Sequence, residues 1–283
     1  MDLLPFLATT NTSFQFDVDW FIHFIFPPSP VLLGGLAITI YVSIIAQAAG
    51  VLLGVLSALA GMSRNRVLRS ISGVYVWVFR GTPLLVQLFI VYFGTPYLLG
   101  GIDLFPNHVG LFGIDIRGAI LAGIVAFSVN EGAYMSEIVR AGILSIDPGQ
   151  TEAAKSLGMT YRLTMSRIVL PQALRVIVPP LGNEFNNMLK TTSLLSVIAV
   201  GELFRVAQAA NSASFKTFEA YFGVALYYLA LTTIWSAIQG VIERRLGVSQ
   251  AGAQGASFWS RMFGFARRTT GTAEVEVPSS GGH

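Results

Sequence analysis

Arg80, Glu131 and Glu184 each stand inside a run of residues otherwise apolar enough to cross a membrane. A charge at mid-bilayer is costly and turns toward protein or water rather than lipid, so each is a candidate for function. Their depths follow from the helical rise. Arg80 lies eleven residues from Arg69, roughly 16 Å along a helix. Glu131 lies fourteen residues from Arg117, roughly 21 Å, and Glu184 nine residues from Arg175, roughly 14 Å. With a hydrocarbon core of about 30 Å, all three fall near the midplane. A guanidinium fork holds a carboxylate through paired hydrogen bonds, and a carboxylate can hold an ammonium. One cation and two carboxylates at one depth therefore suit a small zwitterion. The same charges could instead pair with one another and hold a bundle together. Lys190 falls nearer one face, whereas Glu137 and Arg140, three apart, read as a structural pair on one side of a helix.

The elements that must carry these residues are membrane spans. Only 12% of the 283 residues are charged and 53% are hydrophobic, about half the charge of an ordinary soluble domain. Five apolar runs are long enough to cross: about 31–62, 71–99, 119–146, 173–200 and 221–241. Gly81 and Pro83 interrupt the second beside Arg80, which frees backbone groups as broken helices in transporters do. Thirteen of the eighteen Lys and Arg fall after the first, third and fifth runs or at their flanks, and only Arg117, Arg205 and Lys216 lie on the opposite side. That bias predicts an outside N-terminus and a cytoplasmic C-terminus. The expected organisation is an outer segment over 1–29, a spanning domain over 30–246 and a cytoplasmic tail over 247–283. The fold class is all-α and polytopic. Residues 17–26 and 258–268 mix aromatic and charged residues and are expected to lie at the two interfaces, and the last dozen residues are expected to be disordered. Gly50, Gly54 and Ala58 recur every four residues, which lets a second helix approach closely.

Several classes of function are excluded or disfavoured. There is no cysteine, and His23, His108 and His283 lie too far apart for metal-ligand spacing, so no metal site is expected. The basic residues are scattered in short loops and form no nucleic-acid surface. The N-terminal stretch lacks the basic region of a secretory signal. A Walker lysine follows glycine, but Lys155, Lys190 and Lys216 follow Ala154, Leu189 and Phe215. No cofactor is expected in this chain, and energy from ATP must come from a partner.

The longest basic loop reads SIDPGQTEAAKSLGMTYRLTMSRIVLPQAL. Asp147 can cap a helix with Pro148 at its first position and Gln150 three residues after the cap. Gly158 suits the left-handed residue that ends it. A short helix punctuated at both ends has the shape of a docking element. Its residues go further. Glu152-Ala153-Ala154, three residues, Gly158, nine residues, Ile168, one residue, then Leu170-Pro171 resembles the coupling-helix signature of ABC importer permeases. Arg80 to Gln87 (RGTPLLVQ), Ala133 to Arg140 (AYMSEIVR) and Lys190 to Leu195 (KTTSLL) resemble motifs of the polar amino-acid branch. The resemblance covers roughly residues 30 to 246.

The resemblance implies a five-span type I importer half in the bacterial inner membrane, transporting an amino acid. It implies two ATPase subunits that carry ATP and magnesium, a second permease subunit of the same or a different kind, and an extracytoplasmic amino-acid-binding protein. Glu152, Ala153, Ala154, Gly158, Leu170 and Pro171 would then couple to the ATPase. Arg80, Glu131, Glu184, Lys190, Thr192 and Ser193 would line the substrate path. The competing readings are a permease for another small polar solute and a self-sufficient secondary transporter, the latter needing an internal repeat that the sequence does not display.

Overall fold

The computed structural model describes residues 15–111 and 114–248. The expected inner-leaflet segment over 258–268 and the disordered tail lie outside the described residues. The expected 1–29 segment is described only from residue 15.

In lipid every backbone polar group needs an internal partner, which selects helices. A short helix α1 (Val18–Ile25) precedes α2 (Pro30–Gly61), α3 (Arg66–Gly81) and α4 (Leu84–Phe89). A π-helical stretch over Ile90–Gly94 leads into α5 (Thr95–Leu98). A minimal antiparallel hairpin, β1 (Val109–Leu111) with β2 (Ile114–Ile116), then precedes α6 (Gly118–Leu144). The rest is α7 (Pro148–Ser156), α8 (Tyr161–Thr164), a second π-helical stretch, α9 (Leu170–Thr191), a 3-10 turn over Thr192–Ile198, α10 (Leu203–Ser214) and α11 (Thr217–Arg245).

Three described helices, α2, α6 and α11, are long and apolar enough to cross a membrane, and counting each bent pair as one span gives up to five. One bent pair joins α3 to α4–α5 at 105°, the other joins the Tyr161–Ile198 stretch to α10 at 49°. The second apolar run is therefore not one helix. Pro83 lacks an N–H and biases Thr82 away from helix; Thr82 is extended, at φ −121° and ψ 146°. Gln87 repairs the break, its amide donating to the carbonyls of Phe79 (2.9 Å) and Thr82 (3.1 Å). Asn130 of α6 also donates to the Phe79 carbonyl and to Gln87 Oε1, both at 3.0 Å, so the break is fixed to the middle of α6.

The seam between α2 and α6 is the main internal contact. A Cβ on Gly50 would meet Glu131 Cβ at 2.7 Å, and one on Gly54 would meet Met135 Cβ at 2.3 Å. Ala58 is fully buried beside Val139. The small stripe thus faces α6, and its numbers rise with those of α6, so the two helices run parallel. Hydroxyls tighten the inner end, where Ser136 donates to Ser57 (3.0 Å) and Ser72 donates to the Ser57 carbonyl (2.8 Å). Gly123 faces Leu195 while Gly142 faces Ile177, so α9 runs antiparallel to α6. Trp235 of α11 donates to the Gly182 carbonyl (2.8 Å) and Gln239 to that of Pro179 (3.1 Å), which makes α11 antiparallel to α9. Hence α2, α6 and α11 share one direction, and their C-terminal ends carry or adjoin Arg64, Arg140, Arg244 and Arg245.

Helix α1 is fastened to the opposite end. Asp17 caps it, accepting from Trp20 N at 3.0 Å, and its carboxylate pairs with Lys216 Nζ at 2.9 Å. The Lys216 hydrogen bond holds the Asp17 carboxyl below its ordinary range, and Asp17 in turn raises the Lys216 ammonium. Phe16, Phe21, Phe218 and Phe222 stack around this corner, with ring centroids 5.0 to 5.8 Å apart.

Candidate functional site

The connection between α6 and α9 forms the punctuated helix that the sequence predicts. Asp147 Oδ1 accepts from Gly149 N at 2.8 Å, with Pro148 at the first position. The cap thus binds the second helical N–H rather than that of Gln150, whose N–H goes to the Asp147 carbonyl at 3.0 Å. At the other end Gly158 has φ +76°. Met159 N donates to the Ala154 carbonyl (3.0 Å) and Gly158 N to that of Lys155 (2.9 Å), so the last carbonyls of α7 are satisfied within the turn.

The two faces of α7 have different neighbours. Ala154 is buried, and α7 rests on the π-helical stretch before α9. Ala153 and Glu152 are exposed. The alanine pair therefore divides its work, Ala154 seating the helix on its own chain while Ala153 keeps the outer face low beside Glu152. Leu157, 83% exposed, and Tyr161, 71% exposed, flank Gly158. Two bare apolar side chains thus stand at a rigid turn, and the sequence reading did not single them out. Their signal was apolar side chains beside a helix stop in an otherwise polar loop. Leu170 and Pro171 are exposed at the start of α9, where proline costs no intrahelical hydrogen bond.

The charges within the spans do not form one cluster. Glu131 is 5% exposed and lies in the seam, where it accepts a hydrogen bond from Gln47 Nε2 at 2.9 Å. It faces α2, no ion pair joins it to Arg80 among the described residues, and the Glu184 carboxylate lies near enough to repel it. Thr192 is fully buried and donates to the Leu189 carbonyl at 2.8 Å, so its hydroxyl is also spent inside the fold. Ser193 is half-buried.

Arg80, Glu184 and Lys190 are different. Arg80 is exposed at the end of α3, its guanidinium carbon 5.2 Å from the centre of the Tyr134 ring on α6. Glu184 is half-buried and Lys190 exposed, and neither has a hydrogen bond or ion pair among the described residues. Asn183, Asn187 and Lys190 recur at helical spacing and are all exposed, while Pro179, Gly182 and Asn186 turn toward α11. A polar stripe in a spanning helix cannot rest on lipid without large cost. It faces water or another subunit. The Glu137–Arg140 pair, 3.1 Å apart, is formed on one helix side as the spacing predicts. No group of acidic residues and histidines suited to a metal exists among the described residues.

Residues 50–248 match the family described as binding-protein-dependent transport system inner membrane component. The chain is 44% identical over 218 residues to the L-cystine transport system permease protein TcyB of Bacillus subtilis (strain 168), covering 77% of this chain and 87% of that protein. It is 40% identical over 220 residues to the arginine transport system permease protein ArtQ of the same organism, covering 78% and 94%. A crystal structure described as an amino acid ABC transporter with histidines aligns with a TM-score of 0.67 at 39% identity, covering 76% of this chain and 94% of that one. The MetNI methionine ABC transporter in inward-facing form aligns with a TM-score of 0.62 at 17% identity, which bears on the fold alone.

Proposed function

The chain belongs to the binding-protein-dependent transport inner-membrane components, the multi-pass permease subunits of bacterial ABC importers, and from that premise we propose that it forms the translocation path for an amino acid. ATP hydrolysis in this family lies in a partner subunit. The observation that carries the coupling half of the reading is α7, which is seated by Ala154 and presents Glu152, Ala153 and Leu157 outward. A rigid helix of this kind transmits movement in both directions without bending, because its ends are closed by Asp147 and Gly158.

The amino-acid half rests on relatives named for cystine and arginine transport, together with the uncovered charges. Arg80 supplies a fork for an α-carboxylate, and Glu184 a partner for an ammonium. Glu131 and Thr192 support the path from inside the fold, and Ser193 lies at its edge. Since Arg80, Glu184 and Lys190 lack counter-charges among the described residues, a second permease subunit completes their surroundings. Two ATPase subunits holding ATP and magnesium, and an extracytoplasmic binding protein, complete the machine. The alternating directions of α2, α9 and α11 support five spans with the N-terminus outside and a spanning domain over 30–246.

Purification of the tagged chain from its native membrane tests the assembly, which should bring down an ATPase subunit in stoichiometric amount. In liposomes, binding protein loaded with the right amino acid should stimulate hydrolysis severalfold over empty binding protein. Uptake by the chain alone, without an ATPase, would instead favour a secondary transporter.

A further inference from the structure

A groove of about 660 Å³ runs down the outside of the seam between α2 and α6. That volume is within the range of about 300–1,000 Å³ found for small-ligand sites. One wall is the stripe Val31, Gly34, Ile38, Tyr41 and Ile45 of α2, and the other is Ile120 and Ile124 of α6. Val200 and Gly201 form part of the floor. A Cβ on Gly34 or on Gly201 would meet nothing within 4 Å, so the groove is open at both. Gly35, one residue deeper, is closed off by Val206 and the Glu202 backbone.

Arg117 lines this groove. It is exposed, it precedes the first turn of α6, and no carboxylate pairs with it among the described residues. The parallel register of α2 and α6, in which residue 50 meets residue 131, puts Arg117 level with the first turns of α2. From residue 31 to residue 45 the groove descends roughly 21 Å. Half of a bilayer, headgroups included, is about 20–22 Å. The register sets Arg117 level with about residue 36, so the groove runs roughly 14 Å below the cation to residue 45, close to half the thickness of the hydrocarbon core, and the stretch from residue 31 to 36 lies at headgroup level.

We propose that this groove binds one anionic phospholipid, with the headgroup beside Gly34, its phosphate on Arg117 and an acyl chain along Ile38 and Ile45. A soluble anion would use the cation but leave the apolar length unexplained. A helix of a second subunit would use the length but would have to bring a carboxylate of its own to Arg117. The lipid satisfies both, and it would brace the seam that holds Glu131. The assignment requires that α2 and α6 span the membrane and that no second subunit covers this face, and it stands apart from the substrate reading.

The test places a photo-reactive benzoylphenylalanine at Ile38 in the assembled complex, in nanodiscs of phosphatidylglycerol and phosphatidylcholine at equal mole fraction. Adducts are identified by mass spectrometry. A second complex carries the probe at Leu52, an exposed residue of α2 below the groove. At residue 38 phosphatidylglycerol adducts should exceed phosphatidylcholine adducts about fivefold, the preference one arginine gives near a membrane surface. Residue 52 should show no preference. Arg117→Gln should abolish the preference, and Gly34→Leu should reduce all lipid adducts at residue 38. Adducts in the bulk ratio at residue 38, crosslinks to protein there, or a preference that survives Arg117→Gln would each overturn the proposal.

Discussion

Gln47 Nε2 donates to Glu131 Oε1 across 2.9 Å, joining two parallel spanning helices by one buried hydrogen bond. The side-chain oxygen of Gln47, Oε1, has no donor among the described residues. Replacing Glu131 with Gln keeps the existing bond and offers an amide donor to that oxygen. We expect Glu131→Gln to preserve assembly and to hold or raise the melting temperature of the purified complex. Gln47→Ala leaves a buried carboxyl without its donor, at a cost of about 1–3 kcal/mol. Scanning fluorimetry should show a clear drop for Gln47→Ala. Equal stability of the two variants would show that the bond does not matter.

The spans were legible because apolar runs of the right length have few other readings in a chain this poor in charge. The helix over 148–156 was legible because Asp-Pro and Gly punctuate it. Glu131 was found by its charge, yet its role was not. Its partner is 84 residues away, and the only hint was that Gln47 is the sole amide in the first apolar run. The 105° break was half visible, since Gly81 and Pro83 mark an interruption but not its angle. That angle is set by Gln87 and Asn130, whose pairing depends on tertiary packing. Helix α10 escaped notice because it mixes polar and apolar residues without a clean run. The outward turn of Lys190 and the inward turn of Thr192, two residues apart, follow from helix phase that no depth argument contains.

The seam also predicts a steric limit. A side chain at Gly54 would begin 2.3 Å from Met135 Cβ and 2.9 Å from the Ser136 backbone nitrogen, so the helices must separate. We expect Gly54→Val to destabilise by more than the roughly 1–3 kcal/mol of ordinary overpacking, because backbone has to move. Gly73 has open space around its Cβ position, so Gly73→Ala should be tolerated. Yield of monodisperse complex after extraction separates the two. A Gly54→Val complex of normal yield would mean that the helices do not pack as described.

Among the described residues Arg80 is held by the Tyr134 ring alone, a contact worth about 0.5–1 kcal/mol where exposed. Its loss should therefore matter little to folding. We expect Arg80→Gln to leave melting within about 1 kcal/mol of the parent while uptake falls at least tenfold, mainly through weaker substrate engagement. Tyr134→Leu should give a milder loss, since it frees the guanidinium without removing it. Uptake kinetics against substrate concentration, with ATPase content as the control, decide this. Normal uptake by an assembled Arg80→Gln complex would remove the residue from the path.

The Asp17–Lys216 pair sets a pH window for the docking of α1. The Asp17 carboxyl titrates below its ordinary value of 3.8, so its contribution is present above that value and is lost as pH falls through the lowered one. The Lys216 ammonium titrates above its ordinary 10.5, so its contribution is present below that value and is lost as pH rises through the raised one. Between these limits docking should not change with pH. Asp17→Asn should loosen α1 throughout this plateau. Proteolysis at the α1–α2 junction in liposomes, measured from pH 4 to 10, reads this. A transition near neutrality in the parent would point to another group.

Gly158 provides the sharpest test of the coupling reading, because its requirement is conformational. At φ +76° a β-branched residue is strained by about 1–2 kcal/mol, whereas asparagine adopts the left-handed region with less cost. No atom lies within 4 Å of a Cβ placed there, so crowding inside the chain cannot explain any defect. We expect Gly158→Val to insert normally but to lose most bound ATPase, and Gly158→Asn to retain much of it. Leu157→Asp removes an exposed anchor whose burial in a groove is worth about 1.5–3 kcal/mol, so ATPase affinity should fall by about tenfold to a hundredfold. Glu152→Arg reverses the charge on the same outer face and should weaken attachment or separate hydrolysis from uptake. Ser156→Ala, whose hydroxyl only back-bonds to the Glu152 carbonyl at 3.1 Å, is the control. Copurified ATPase per permease, measured with uptake and hydrolysis in liposomes, distinguishes the outcomes. If Gly158→Val and Leu157→Asp both keep full ATPase content and coupled uptake, α7 is a connector and the docking surface lies elsewhere on the chain.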